Sequence, residues 1–138
     1  MTPIYAQEYD YSKLSVLAVD DIPLNLLLVE KMLSRFNFRF KKAGGGQQAL
    51  DMIAQEKPDL ILLDLMMPGI DGFEVIKRLR ANPETQGIHI IVLSALNSNE
   101  DVVKAFNLGA NDFIMKPIIM EKLLACVVTQ LHLAAVKK

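Results

Sequence analysis

The 138-residue chain has one cysteine, no tryptophan and no apolar run close to the ~20 residues that cross a bilayer. A single cysteine, Cys126, excludes an internal disulfide framework and fits a reducing compartment. Charge of neither sign is in excess: 15 Lys and Arg stand against 16 Asp and Glu. That balance offers no electrostatic footprint for nucleic acid or for an anionic membrane. Met1-Thr2-Pro3-Ile4-Tyr5 has no basic segment followed by an apolar core, so it does not read as a signal peptide. Apolar residues, by contrast, make up 51% of the chain, ample for one continuous core and too many for a disordered segment. The expectation is one cytoplasmic domain.

Residues 1–12 show no periodicity and read as a mobile lead-in to a domain spanning 13–133, with 134–138 as a tail. From Lys13 onward, strand-like and helix-like segments alternate. Leu14 to Val19, Leu60 to Leu63 and Ile88 to Leu93 are continuous apolar runs, the mark of parallel strands buried on both faces. Phe38 to Ala43 and Asn111 to Met115 are two further strand candidates, and Lys41-Lys42 suggests a sheet edge for the former. Between the strands, apolar residues recur at helical spacing. Examples are Ile22, Leu26, Val29, Leu33 and Phe36, with Asp21 as a candidate cap and Pro23 in the first turn. Four more helices are expected over Gln47–Glu56, Phe73–Arg80, about Val102 to Gly109, and Ile119–Leu133. Five βα units imply a flavodoxin-like, doubly wound five-stranded parallel sheet of order 2-1-3-4-5, with helices on both faces.

Four of the strands end in residues suited to phosphoryl chemistry: Asp20-Asp21, Asp64, Ser94 and Lys116. Ligands of open α/β sheets sit outside the carboxyl ends of the strands, at the switch point. Here that point lies between the strands ending in Asp20-Asp21 and Asp64. Crowded carboxylates repel by roughly 4 kcal/mol per pair at ~4 Å and an effective dielectric of 20. A divalent cation such as Mg²⁺, which takes one or two carboxylates and completes its shell with water and phosphate, relieves that repulsion. Asp64, alone at the end of a central strand, is the candidate nucleophile for an aspartyl-phosphate. Lys116 compensates charge, and the Ser94 hydroxyl can donate to a phosphate oxygen.

These residues fall in Val19-Asp20-Asp21-Ile22-Pro23-Leu24-Asn25, Asp64-Leu65-Met66-Met67-Pro68-Gly69-Ile70-Asp71-Gly72, Ser94-Ala95 and Lys116-Pro117. In that order and spacing, over about Lys13 to Leu133, the chain resembles a response-regulator receiver domain of two-component signalling. The resemblance implies that Asp64 accepts a phosphoryl group from a histidine kinase or a histidine phosphotransfer protein. It implies Mg²⁺ held by Asp21, Asp64 and the backbone carbonyl of Met66, with Asp20 acting through water. It makes Ser94 and Phe113 a switch pair, makes the Lys116–Pro117 peptide cis, and places the output on the fourth helix, fifth strand and fifth helix, also a candidate homodimer surface. Two residues depart from the family's commoner choices: Ser94 where threonine is usual, and Phe113 where tyrosine is frequent. In that family the positions of Met66 and Leu96 influence the hydrolytic water, and two apolar side chains there imply slow dephosphorylation.

Plainer readings compete residue by residue. Asp20-Asp21 alone could be a helix cap, and Lys116 alone a solvated strand end. Asp71 reads as the cap of the third helix, and Asn25 as a cap or brace for the first turn of the first helix, with a place near the phosphate as the alternative. Gly44-Gly45-Gly46 is a turn, since Gln47-Gln48 stands where a phosphate loop needs Lys-Ser/Thr. His89 and His132 lack metal-ligand company, and Cys126 reads as core. A haloacid-dehalogenase-type phosphohydrolase would need a second acid at Met66. A flavodoxin would need a hydroxyl-rich loop in place of Asp-Asp-Ile-Pro. A pseudo-receiver would lack an acid or the lysine. The Asp-Asp-Ile-Pro-Leu-Asn stretch also resembles receivers attached to signalling enzymes.

Overall fold

A computed structural model of the chain describes residues 10–136. Five strands, β1 (Ser15–Val19), β2 (Arg39–Ala43), β3 (Leu60–Leu63), β4 (His89–Ser94) and β5 (Asp112–Met115), alternate with five helices. The helices are α1 (Pro23–Met32), α2 (Gly46–Gln55), α3 (Gly72–Ala81), α4 (Asn99–Leu108) and α5 (Met120–Val136). All strand pairs are parallel, in the order β2-β1-β3-β4-β5. No helix among the described residues is long and apolar enough to cross a membrane.

The period of two in each strand divides the core. Val16 and Ala18 of β1, Leu60 and Leu62 of β3, and Ile91 and Leu93 of β4 face α1 and α5. Leu17 and Val19, Ile61 and Leu63, and Ile90 and Val92 face α2, α3 and α4. The three central strands therefore have no solvent face, which is why they read as continuous apolar runs. The apolar stripe of α5 is core: Leu123, Leu124, Val127, Val128 and Leu131 are all buried. β2 is an edge strand, and its outward Arg39, Lys41 and Lys42 pair with Glu56 and Glu30. These exposed pairs contribute little energy, but charge on an edge discourages pairing with another chain.

Local signals set most boundaries. Asp71 caps α3, its Oδ1 accepting the Glu74 N–H at 2.9 Å. Ser98 caps α4 by accepting from the Asp101 N–H, so this helix begins before the apolar spacing that marks it in the sequence. Three expectations need correction. Asp21 does not cap α1: the N-cap is Ile22, and Asp20 Oδ1 accepts the Ile22 N–H at 2.9 Å. α5 continues past Leu133 to Val136, because Ala134 is buried and extends its inner face. Residues 1–9 and 137–138 of the expected lead-in and tail lie outside the described residues, but Tyr11 is not loose. Only 3% exposed, it packs edge-on against Phe36 and His132, and its backbone N–H donates to Asn37 Oδ1. Burying this ring against Phe36 and His132 adds apolar contact area to the core beside α1 and α5.

The two histidines serve packing. His89 Nδ1 lies 2.7 Å from Gln130 Oε1, joining β4 to α5, and His132 Nε2 lies 3.3 Å from the Tyr11 hydroxyl. Cys126 is only partly buried, and burial, seconded by Asp112, pushes its thiol up to about 11.

Because the sheet separates two half-cores, substitutions in them should act independently. Ile76→Val beneath one face should cost about 1 kcal/mol and Leu124→Ala beneath the other about 3 kcal/mol. In urea denaturation the double variant should match the sum within ~0.5 kcal/mol. A larger coupling would contradict the partition.

Candidate functional site

Four residues of the site occupy the first position after a strand, or its last. Asp20 follows β1, Asp64 follows β3, Ser94 ends β4 and Lys116 follows β5. The parallel ladders run on through these positions. Asp20 N–H donates to Ala43 O, Asp64 N–H to Val19 O, and Lys116 N–H to Ser94 O, at 3.1, 3.0 and 2.8 Å. The backbone of the site is thus fixed by the sheet rather than by loops, which is the rigid support a preorganised centre needs. The Lys116–Pro117 peptide is cis.

Gly72 completes the frame. A Cβ here would collide with the backbone oxygen of Asp64 and would sit 2.7 Å from Leu65 Cα. Only glycine lets the start of α3 approach the residue after β3 this closely.

Within this frame the side chains converge. Asp20 and Asp64 are each 6% exposed. One carboxylate oxygen from each of Asp20, Asp21 and Asp64 falls within a group spanning no more than 4.8 Å. Lys116 Nζ lies 3.0 Å from Asp20 Oδ2 and 3.7 Å from Asp64 Oδ2. Asp64 Oδ1 lies 3.4 Å from the Met66 N–H. One ammonium therefore faces two of the three carboxylates. Burial pushes the Asp64 carboxyl above its ordinary range, Asp20 adds to that push, and Lys116 works against it.

The acids fit a hard divalent ion. Three oxygens from three residues converge, and Asp21 Oδ1 is buried with no hydrogen-bond partner among the described residues. A buried carboxylate oxygen left without a partner costs about 1–3 kcal/mol or more, and a cation is the group that relieves it. Asp20 is less available than its neighbour: its oxygens already accept from Ile22 N–H, Lys116 Nζ and Asn25 Nδ2.

Asn25 belongs to the site. Its Nδ2 donates to Asp20 Oδ2 at 3.1 Å, so it holds a carboxylate rather than bracing the first turn of its own helix. The signal was one amide in the otherwise apolar first turn Pro23-Leu24-Asn25-Leu26. The crevice deepens beneath α1 into a largely apolar cavity of about 340 Å³, with Leu28, Met32, Leu93 and Pro117 among its walls.

Ser94 is fully buried, and its Oγ accepts the Leu96 N–H at 3.1 Å, leaving the hydroxyl proton free to donate. Phe113 is partly buried and packs with the α2–α3–α4 half-core. Met66 is more than half exposed beside Asp64, and Leu96 is partly buried. Both flank the site with apolar side chains.

Three acids, a serine and a lysine gathered at the strand ends of a 2-1-3-4-5 parallel sheet define the class, a doubly wound α/β domain with its candidate site at the switch point. The model of the response regulator receiver domain matches residues 16–128, and the chain belongs to that family. Its relatives include the response regulator PleD of Caulobacter vibrioides, 42% identical over 103 residues, 75% of this chain and 23% of PleD. Another is a probable cyclic di-GMP phosphodiesterase of Vibrio cholerae, 38% identical over 89% of this chain and 28% of that protein. The chain thus spans about a quarter of the length of these two relatives. Among solved structures, a putative response regulator from Chloroflexus aurantiacus superposes with a TM-score of 0.81 at 31% identity, covering 86% of this chain and 97% of that one.

The crowding of the acids makes a stability prediction. Asp64 holds a carboxyl raised by burial, so its ionisation opposes folding, and that cost grows as pH rises from the ordinary carboxylate range to neutrality. In magnesium-free buffer at pH 7, Asp64→Asn should therefore be more stable than the parent by about 1–2 kcal/mol. The gap should narrow as the pH falls from 7 through the acidic range and the parent's Asp64, its carboxyl raised by burial, takes up its proton. Thermal melts of both proteins across that range measure it.

Proposed function

We propose that this domain is a phosphorylation switch in which Asp64 accepts a phosphoryl group from a phosphohistidine of a histidine kinase or phosphotransfer protein. The observation that carries the reading is the convergence of three buried or partly buried carboxylates with one lysine at the switch point of the sheet. An oxygen of the Asp64 carboxylate attacks phosphorus. The P–N bond to the donor imidazole breaks as the O–P bond forms, and the departing imidazole takes a proton from solvent. The phosphoryl group arrives with its charge intact, so the protein's task is positioning and compensation rather than covalent chemistry.

Lys116, already within reach of Asp64, counters the charge on the transferring oxygens. Asp21, Asp64 and the backbone carbonyl of Met66 would hold Mg²⁺, with Asp20 in support, and the ion would supply the remaining positive charge. Asn25 and Lys116 keep the Asp20 side chain oriented. Once Asp64 carries phosphate, the Ser94 hydroxyl turns its free proton toward it. Phe113 follows, since both residues sit at the β4–β5 end of the sheet. The outcome is a two-state equilibrium biased by a new charge-assisted hydrogen bond, read on the face built from α4, β5 and α5.

Exposed apolar residues on that face, Phe106 and Met115, support a protein partner there, a second copy included. The near-zero net charge supports no direct role for nucleic acid. The likeness to the V. cholerae protein supports a signalling enzyme as the governed output. The domain itself modulates its own phosphorylation without turning over a substrate, and the cytoplasm, where kinase and phosphodonor meet, is its proposed location.

Incubation with Mg²⁺ and acetyl phosphate should give a phosphate-sized gain in intact mass. Asp64→Asn should abolish the gain, and Lys116→Ala should reduce its rate at least about tenfold, the loss of one charge-assisted contact. Absence of any gain with Mg²⁺ bound would point instead to a domain that binds partners without phosphorylation. Neither Met66 nor Leu96 can orient an attacking water. The phosphorylated protein, freed of phosphodonor, should therefore persist at neutral pH well beyond seconds when followed by mass, and complete loss within seconds would reject the role given to these two side chains.

A further inference from the structure

Arg80, at the end of α3, uses all five of its N–H donors. Nε and Nη2 donate to Gly109 O at 3.0 and 2.7 Å. Nη1 donates to Gln86 O and Ile88 O at 2.8 and 2.7 Å, and Nη2 also to Asn111 Oδ1 at 3.0 Å. Asn111 Oδ1 in turn accepts the Ile90 N–H at 2.7 Å. One side chain thus ties the entry of β4 to the residue that terminates α4 and to the entry of β5.

Among the described residues the other end of α4 shows no such clasp. Only Ala105 of the helix is buried, Val103 and Phe106 are exposed, and the capping hydrogen bonds at the amino end all come from the exposed Ser98, whose hydroxyl accepts the Asp101 N–H and donates to Asp101 Oδ2 and whose carbonyl accepts the Val102 N–H. That end follows directly from Ser94-Ala95-Leu96, beside the acid crevice. The carboxyl end closes on Gly109, whose φ of +119° lies in the left-handed region. A Cβ there would sit 2.7 Å from Arg80 Nε, so arginine and glycine occupy one joint. Gly109 N–H bonds to Ala105 O and Phe106 O, and Ala110 N–H to Ala105 O, closing the last turn against the clasp.

We propose that Arg80 is the positioning residue that pins the carboxyl end of α4, so that the helix moves as a lever hinged at Gly109, free at its Ser94 end. A helix clamped at one end and capped at the other by a single exposed serine has its low-cost motion at the capped end. The response of this lever to phosphate rests on the phosphoacceptor reading above. The hinge itself does not.

Amide hydrogen exchange resolved by NMR separates the two. In the unphosphorylated protein, the amides of Gly109, Ala110 and Asn111 should exchange at least tenfold more slowly than those of Asp101 and Val102. Arg80→Met should accelerate the first set at least tenfold, beyond any acceleration common to the deepest amides of β1 and β3. A purely structural loss would accelerate all of them together. Arg80→Lys, which keeps the charge but not the five-donor fork, should show the same selectivity and serves if the methionine variant does not fold. Acetyl phosphate with Mg²⁺ should phosphorylate parent and variant equally by mass. In the parent it should change exchange at Leu96 to Val102 while leaving Gly109 to Asn111 unchanged. In the variant the change should reach Gly109. Equal exchange at both ends of α4, or a uniform effect of the arginine substitutions, overturns the hinge. A missing mass gain with the exchange gradient intact overturns only the phosphoacceptor reading.

Discussion

The structure is organised around a repulsion. Three carboxylates at the ends of β1 and β3 meet a single ammonium from the end of β5. Nothing in a folded chain gathers like charges for its own stability; the sheet does it because three acids and a lysine happen to be the next residues once its buried strands are in register. Most of the net stabilisation comes from burying the apolar strands and helix faces, and the cost of the crevice is drawn from that surplus. The site is then preformed: its acids and its lysine already converge, with three oxygens placed where a cation could be held. A preorganised electrostatic centre lowers barriers because it does not have to rearrange at the moment of reaction.

Three supporting devices hold that arrangement. Ladder hydrogen bonds carry the backbone of Asp20, Asp64 and Lys116 one step beyond the strands. Gly72 lets α3 begin against the carbonyl of Asp64. Asn25 and the Ile22 N–H occupy both oxygens of Asp20, which leaves Asp21, with its unpartnered buried oxygen, the better placed of the pair for an ion. Adjacent acids in the sequence thus acquire unequal duties from their hydrogen bonds.

Much of this was legible in the sequence, for physical reasons. Leu60-Ile61-Leu62-Leu63 is apolar at every position because β3 is covered on both faces, and such a run announces a central parallel strand. Strand ends are equally legible: an acid or lysine after such a run lies where the chain leaves the core. What the sequence obscured is tertiary. Tyr11 looks like part of a polar lead-in until Phe36 and His132 come beside it. Asn25 looks like a helix brace until the Asp20 oxygen is found above it. Asp21 looks like the cap of α1, yet the N-cap is Ile22, because the start of the helix depends on how the chain turns out of β1. Arg80 carries no signal at all, because its five hydrogen bonds go to three backbone carbonyls and one asparagine, up to thirty-one positions away.

The sheet also acts as a partition wall. Phe113 and Ala105 belong to one half-core, while Ile114 and the whole inner face of α5 belong to the other, although Phe113 and Ile114 are neighbours in the chain. Side chains beneath α2, α3 and α4 can therefore be exchanged over evolutionary time without repacking those beneath α1 and α5. The scaffold thus offers two compartments that can be edited separately while the strand ends stay in place.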